Sequence, residues 1–342
     1  MSNGEIRNPK SEIRNPKYAV LLMAYGGPDS LDDIEEYLLD IRGGQKTPEE
    51  LVEEIKERYA QIGGKSPLLD ITRAQAKALE ERLNEHSDGR NYRVYVGMRH
   101  WYPYIEEAVA HIVEDGLHRV VALCMAPHFS RMSIGAYIRK AEEAQKELGV
   151  ELDVTYIESW HDHPLFLQAI ADKVKAALKK FPPEARDDVI VVFTAHSLPA
   201  AIPSTTLRQS SGQGSGHRLE QGDPYDRQLR ETAAGVAKLL SDIDWQFSYQ
   251  SSGASSAKWL GPQIEDVVVE LAEAGHKNIL VAPIGFVADH VEVLYDIDIE
   301  ARGYAEQAGA RLERTDSMNV TPAFIEALAD VVRQHTPVNS DQ

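Results

Sequence analysis

Short apolar runs recur along the chain, separated by stretches in which apolar residues return every three or four positions among charged ones. The two periods read as buried strands and amphipathic helices. Strands are predicted at Tyr18–Tyr25, Tyr92–Gly97, Arg119–Ala126 and Leu152–Ile157, then at Val189–Ala195, Trp245–Gln250, Asn278–Ala282 and Arg311–Arg314. Between them lie SLDDIEEYLLDI, QAKALEERLNEH, IEEAVAHIVEDG, SIGAYIRKAEEAQKELG and GPQIEDVVVELAEAG, several opened by Ser, Asp or Pro and closed by Gly, as helices are. Strand, helix, strand, repeated, predicts an α/β protein whose parallel sheets are covered on both faces.

The pattern also repeats on a larger scale. AVLLMAYGGP resembles VIVVFTAHSLP, and VVALCMAPHFS resembles NILVAPIGFVADH, each pair falling at the first and third strand of its half. Two similar doubly wound domains are therefore expected, each a four-stranded parallel sheet flanked by helices, with a ligand cleft between their carboxyl ends. We place the N-terminal domain at residues 17–160 and the C-terminal domain at 161–319. The amphipathic segment TPAFIEALADVVRQH, within 320–336, is expected to be a helix packing back on the first domain. Two segments lack apolar periodicity. Residues 1–16, where EIRNPK occurs twice, read as a loose extension, and the Ser/Gly/Gln-rich 203–221 as a flexible insertion that bulges away from the cleft.

Composition narrows the class. The 342 residues are 43% hydrophobic, ample for a packed core. No apolar run approaches the roughly 18 residues of a membrane span, and no charged-then-apolar secretory signal is present, so a cytoplasmic location is expected. A net charge of -18 disfavours nucleic acid and anionic membranes, leaving any anionic substrate to be gripped by local Arg and Lys. The single cysteine, Cys124 in VVALCMAP, is expected to pack as a core residue, and one cysteine excludes a cysteine-ligated cluster within the chain.

Candidate chemistry collects where predicted strands end. In APIGFVADHVEVLYDIDIE, Glu292, Asp296 and Glu300 stand four residues apart and share one face of a helix. Like charges at that spacing cost about 0.2–0.5 kcal/mol per pair, so the row is either a solvated face or a path for something positive. The apolar lead-in NILVAPIGFV, running into Asp289 and His290 as a buried strand runs into a site, favours the path. How closely the carboxylates align depends on whether the helix there is regular or widened. His196 follows VVFTA and should stand at the cleft mouth, where a histidine is as readily structural as catalytic. Its imidazole with the Glu292 carboxylate makes a metal site with too few ligands to trap the ion permanently, which suits delivery. Ser197 lacks the Gly-x-Ser-x-Gly elbow of a serine hydrolase, and the AYGG and IGG turns lack dinucleotide or Walker patterns. His100, His128, His161, His163 and His290 show no compact zinc spacing and read mostly as surface or capping residues.

AYGGP, RYAQIGGKSPL, VGMRHWYPYIEEAV, APHFSRMS, AHSLP, GDPYDRQL, YQSSGASSAKWLGPQIEDV and PIGFVADHVEVLYD occur in the order and approximate spacing of ferrochelatases, enzymes that insert ferrous iron into a porphyrin. The resemblance runs from about Tyr18 to Val332 and is to the short, soluble type without an iron–sulfur cluster, above all to the branch using coproporphyrin III. It implies a chelatase-like fold and a lyase of heme biosynthesis. A porphyrin and Fe2+ are then its substrates, no cofactor is permanently bound, and the acidic ladder is a candidate site for Mg2+. His196 and Glu292 are implied as catalytic residues and metal contacts on one face of the macrocycle, with Asp296 and Glu300 as shuttles for metal or protons. Insertion expels two pyrrole protons as the ion arrives, so a near-neutral base beside carboxylates suits the reaction.

The same resemblance matches Tyr25 to a tyrosine that approaches the opposite face of the ring in the coproporphyrin-using branch. Arg42, Arg58, Tyr59, Ser66 and Tyr137 match positions lining the porphyrin pocket, where arginine pairs with propionates through two parallel hydrogen bonds. Arg99 stands where some relatives have lysine, and His100 and Trp101 follow it in a turn expected to face the cleft. The insertion after AHSLP is longer than the family's. A monomer is expected. Three other classes stay open: a chelatase for another metal or tetrapyrrole, a serine hydrolase using Ser197, and a two-domain ligand-binding protein.

Overall fold

The central apolar runs are strands because their side chains are covered from both sides; all seven residues of β1 (Tyr18–Ala24) are buried. With β2 (Tyr92–Met98), β3 (Arg119–Cys124) and β4 (Asp153–Ile157) it forms a four-stranded sheet of order β2-β1-β3-β4. The second half repeats the plan: β5 (Val189–His196), β6 (Trp245–Gln250), β7 (Asn278–Pro283) and β8 (Arg311–Arg314) pair in the order β6-β5-β7-β8. Every pairing is parallel, with Leu21 between Tyr95 and Ala122 and Val192 between Gln246 and Val281. The expected fold class is thus borne out. In each sheet the chain leaves the first strand to one side and returns on the other, so the connections diverge at the carboxyl ends of β1 and β5 and leave room there for a ligand. This computed structural model describes residues 17–85, 90–200, 222–241, 243–253 and 257–336; the extension at 1–16 and the insertion at 203–221 lie outside the described residues.

The helices are α1 (Ile34–Ile41), α2 (Glu49–Gln61), α3 (Leu68–Asn84), α4 (Ile105–Glu114), α5 (Ile134–Leu148), α6 (Pro164–Leu178), α7 (Tyr225–Leu240), α8 (Ile264–Glu273), α9 (Val291–Leu294), α10 (Arg302–Gln307) and α11 (Pro322–Gln334). None among the described residues is long and apolar enough to cross a membrane. One apolar cluster joins the halves: Val20 and Leu22 of β1, Phe166 of α6, Phe193 of β5, Leu229 of α7 and Phe324 of α11 belong to it together. The outer face of the first sheet is closed by α4 and α5, with Cys124 buried there, and that of the second by α8 and α10.

Helix α11 touches both halves. Arg333 donates to the Arg82 carbonyl of α3 at 2.7 Å, and Asp330 meets His163 at the start of α6 at 3.0 Å. The α1–α2 arm also meets the second half, where Ile34, Val52 and Tyr59 take in Val291.

Candidate active site

His196 is the last residue of β5, so the strand delivers its side chain to the carboxyl end of the second sheet. Its carbonyl accepts the Tyr225 hydroxyl at 3.0 Å, and Nδ1 is bonded to the Ser197 carbonyl, which turns Nε2 toward Glu292. Glu292 arrives on the loop after β7, in α9. That loop passes directly over Ala195: a Cβ on Gly285 would lie 2.6 Å from the Ala195 Cβ, so only glycine lets the two segments meet. The carbonyl of Glu292 is held by Gln250 Nε2 at 2.6 Å.

The Glu292 carboxylate lies between two imidazoles, His196 Nε2 at 3.4 Å and His290 Nε2 at 3.5 Å. The His196 and Glu292 side chains are each 31% exposed, and so open to a ligand. Desolvation alone would lower the His196 pKa, but the charge and hydrogen bond of Glu292 outweigh it and raise the group to about 9. Burial likewise opposes ionisation of Glu292, yet the two histidines hold it well below the usual carboxylate range. Without metal the pair is therefore an imidazolium and a carboxylate.

Beyond α9 the helix is not regular. Ile299 and Glu300 both donate to the Tyr295 carbonyl, at 3.1 and 3.0 Å, and Asp296–Ala301 forms a π turn. An α-helix has roughly 3.6 residues per turn, so a residue four ahead overshoots the first; the wider π turn, bonded i to i+5, makes it fall short. The overshoot from Glu292 to Asp296 is thus turned back from Asp296 to Glu300, and the row straightens. Asp296 is 4% exposed, with one oxygen taken by the Ser251 hydroxyl and the other 3.7 Å from Arg58 Nη1. Burial, then the Glu292 charge, push its pKa up to about 7. Ser251, just past β6, adopts a left-handed backbone (φ 58°), an unfavourable conformation for serine that brings its hydroxyl to Asp296. Glu300 faces Glu265 of α8, whose carboxyl is raised first by burial and then by Glu300.

The first half supplies the facing wall. Tyr25 is the first residue past β1, is 39% exposed and packs its ring 4.8 Å from His100. Desolvation followed by the Glu292 charge raises its pKa to about 12. The same Glu292 charge reaches the buried phenols of Tyr37, Tyr59, Tyr137 and Tyr225, in each case adding to the desolvation that raises them, so both halves converge on this carboxylate. Arg99 lies over the Tyr137 ring at 5.6 Å and donates to the Met132 carbonyl at 3.1 Å. Ser66 is buried beside Gly27, where an added Cβ would sit 2.4 Å from its hydroxyl. Arg42 is exposed at the carboxyl end of α1.

Several expectations need correction. Trp101 does not face an open cleft: it is 4% exposed, its indole N–H donates to Asp29 at 3.1 Å, and Tyr37 and Tyr102 pack edge-on against it. Four of the histidines read as surface or capping residues are buried polar groups. His100 meets Asp40 at 2.6 Å, His128 meets Thr232 at 2.9 Å, His161 meets Glu231 at 2.9 Å, and His163 meets Asp330 although its backbone does cap α6. Ser197 is fully buried and donates to the Leu260 carbonyl at 2.7 Å, which leaves no hydroxyl for a nucleophile. Asp289 turns away from the ladder toward Ser317, Asn319 and Arg314. Gln250, Ser251, Tyr225 and Arg314 escaped sequence reasoning as site residues; the first three lie in the YQSS and GDPYDRQL segments, but no local pattern reveals what they would hold.

Two sheets of matching order, closed on a cleft with a His–Glu pair at one strand end, define a chelatase-type α/β protein. The fold is shared with the sirohydrochlorin chelatase SirB from Bacillus subtilis subspecies spizizenii in complex with cobalt, at a TM-score of 0.52 and 11% identity over 93% of this chain and 94% of that one. A protein-family model described as ferrochelatase matches residues 17–336. The protein described as ferrochelatase in Herpetosiphon aurantiacus is 40% identical over 92% of this chain and 98% of its own length. The coproporphyrin III ferrochelatase of Geobacillus kaustophilus is 41% identical over 94% of this chain and 97% of its own. The chain belongs to the ferrochelatase family.

Proposed function

We propose that this protein inserts ferrous iron into coproporphyrin III with release of two protons, as a step of heme formation. Insertion of metal into a porphyrin is the activity of the family; the choice of coproporphyrin III is the finer reading. One observation carries the site assignment: His196 and Glu292 stand partly open at the carboxyl end of the second sheet, while Tyr25, also partly open at the end of the first, is close enough for the Glu292 charge to raise its phenol. A planar ring between the two would have the His–Glu pair on one face and the phenol on the other. Charge-assisted hydrogen bonds from arginine to each additional propionate favour the more highly carboxylated ring.

Before metal arrives, Glu292 keeps His196 protonated at neutral pH. A divalent ion approaching Glu292 offsets the charge that holds this proton, so Nε2 gives it up to the acidic row and then takes the two pyrrole protons in turn, passing the first on before it accepts the second. Asp296, next along the row and titrating near neutrality, is matched to pass protons on. Glu300 and Glu265 continue the route outward. As hard oxygen donors, Glu300 and Asp296 also suit Mg2+, provided that Arg58 withdraws from Asp296. Both walls of the cleft come from one chain, which fits a monomer, and we read its place of action as the cytoplasm.

Anaerobic incubation with Fe2+ and either coproporphyrin III or protoporphyrin IX, followed by the porphyrin absorption spectrum, tests this reading. One additional charge-assisted contact is worth roughly 1.5–3 kcal/mol, so kcat/KM should be at least about tenfold higher for coproporphyrin III. Equal or better use of protoporphyrin IX would overturn the substrate choice. Failure to metallate either ring would overturn the function.

A further inference from the structure

Arg58 is the one lysine or arginine that ion-pairs with the acidic row Glu292, Asp296 and Glu300 among the described residues, and it comes from the other half of the molecule. It rises from α2, in the arm whose apolar cluster takes in Val291, and places Nη1 3.7 Å from Asp296 Oδ1. Its guanidinium carbon lies 5.1 Å from the Tyr295 ring centroid, and Nη2 pairs with Glu54 of its own helix at 2.8 Å. Its Nε is buried with no hydrogen-bond partner. The guanidinium is thus poised beside the row with donor capacity unspent. The Asp296 contact is long and single, whereas a free carboxylate can engage such a fork through two short parallel bonds.

We propose that Arg58 couples the two substrates: a carboxylate of the incoming ring draws it away from Asp296, so that each substrate strengthens binding of the other. The inference rests on the reading of the cleft as a porphyrin site. Once Arg58 turns to the ring, Asp296 loses its nearest cation and the row attracts a divalent ion more strongly. Conversely, an ion beside Asp296 repels the guanidinium and frees it for the ring. The two effects are one coupling free energy and must be equal in size. Without porphyrin, Arg58 weakens the row's hold on metal; without metal, the row weakens Arg58's hold on porphyrin.

The test uses the full chain, coproporphyrin III, and Mg2+ as a divalent ion whose failure to enter the ring is checked from the porphyrin spectrum. The porphyrin Kd is measured by fluorescence with and without saturating Mg2+, at constant ionic strength. In the wild type, Mg2+ should tighten porphyrin binding by about fivefold, the lower end of ordinary couplings. Arg58→Met should weaken porphyrin binding and abolish the Mg2+ effect. Asp296→Asn should abolish the effect while leaving the metal-free Kd the same or tighter, and it provides a second route should Arg58→Met fold poorly. An undiminished Mg2+ effect in folded Arg58→Met would reduce Arg58 to a simple ring contact and overturn the proposal. So would its absence from a wild type that binds porphyrin. Absence of any saturable porphyrin binding by the wild type would instead remove the underlying reading, and the coupling with it.

Discussion

At the scale of single residues, the site depends on how Glu292 and His196 set each other's charge. On the proposed mechanism His196→Ala removes the base that takes the pyrrole protons, so the insertion rate should fall by about 10²–10⁴-fold while porphyrin quenching persists. A variant within threefold of wild type would exclude His196 from the chemistry. The same pair fixes a pH dependence of stability. The folded pKa of His196 is raised from its ordinary 6.5 to about 9, so its contribution is complete below about 6.5 and fades as pH rises through 9. The Glu292 pKa is depressed, so its contribution is present above its ordinary 4.5 and is lost as pH falls below that value. Thermal melts should therefore show His196→Ala most destabilised relative to wild type near pH 6, with the gap closing toward pH 9. A gap that widens with pH would contradict the pairing. His196 and Glu292 could be named from sequence because strand-end position and motif both mark them. Gln250 and Ser251 could not, because an amide or hydroxyl acquires its role only from the carbonyl or carboxylate that the fold brings to it.

At the scale of elements, the π turn is the feature that the four-residue spacing does not reveal. It is braced from behind: Arg314 of β8 grips Asp298 of the turn through Nε and Nη2, both at 2.8 Å, and reaches Asp289 ahead of α9 at 3.5 Å. The bracing thus flanks Glu292 on both sides. Burial opposes the charge of Arg314, but Asp298 and Asp289 more than compensate and raise its pKa. Arg314→Met leaves Asp298 without its main partner and should cost about 2–3 kcal/mol in denaturant melts. It should also slow insertion at temperatures where the variant remains folded, and Arg314→Lys should recover stability more than rate, since an ammonium cannot reproduce the two-pronged grip. An Arg314→Met enzyme of normal rate would show that the turn holds its shape unaided.

At the scale of the whole molecule, the two halves are not independent. The apolar cluster containing Val20, Phe166, Phe193 and Phe324 spans both sheets, with α6 and α11 between them. One cooperative thermal transition is expected, with calorimetric and van't Hoff enthalpies equal. Phe324→Ala opens this shared cluster and should cost about 3–5 kcal/mol while keeping the transition single. Two separate transitions, in either protein, would show that each half holds its own core.

Burial on both faces writes a local apolar run that a short window reads in the central strands, so the strands, their alternation with helices and the internal repeat were legible in the chain, and with them the doubled parallel sheet. The sequence also marked His196 and the acidic row, since strand ends and helical spacing are local as well. Tertiary structure decided what those groups are. The straightened row depends on a π turn braced by β8. The depressed Glu292 and raised His196 depend on a loop crossing Ala195 at Gly285. The hidden Trp101 and the buried histidines depend on partners far away in the chain. Such partners carry no local period, and the electric field at a carboxylate is summed from residues that only folding brings together.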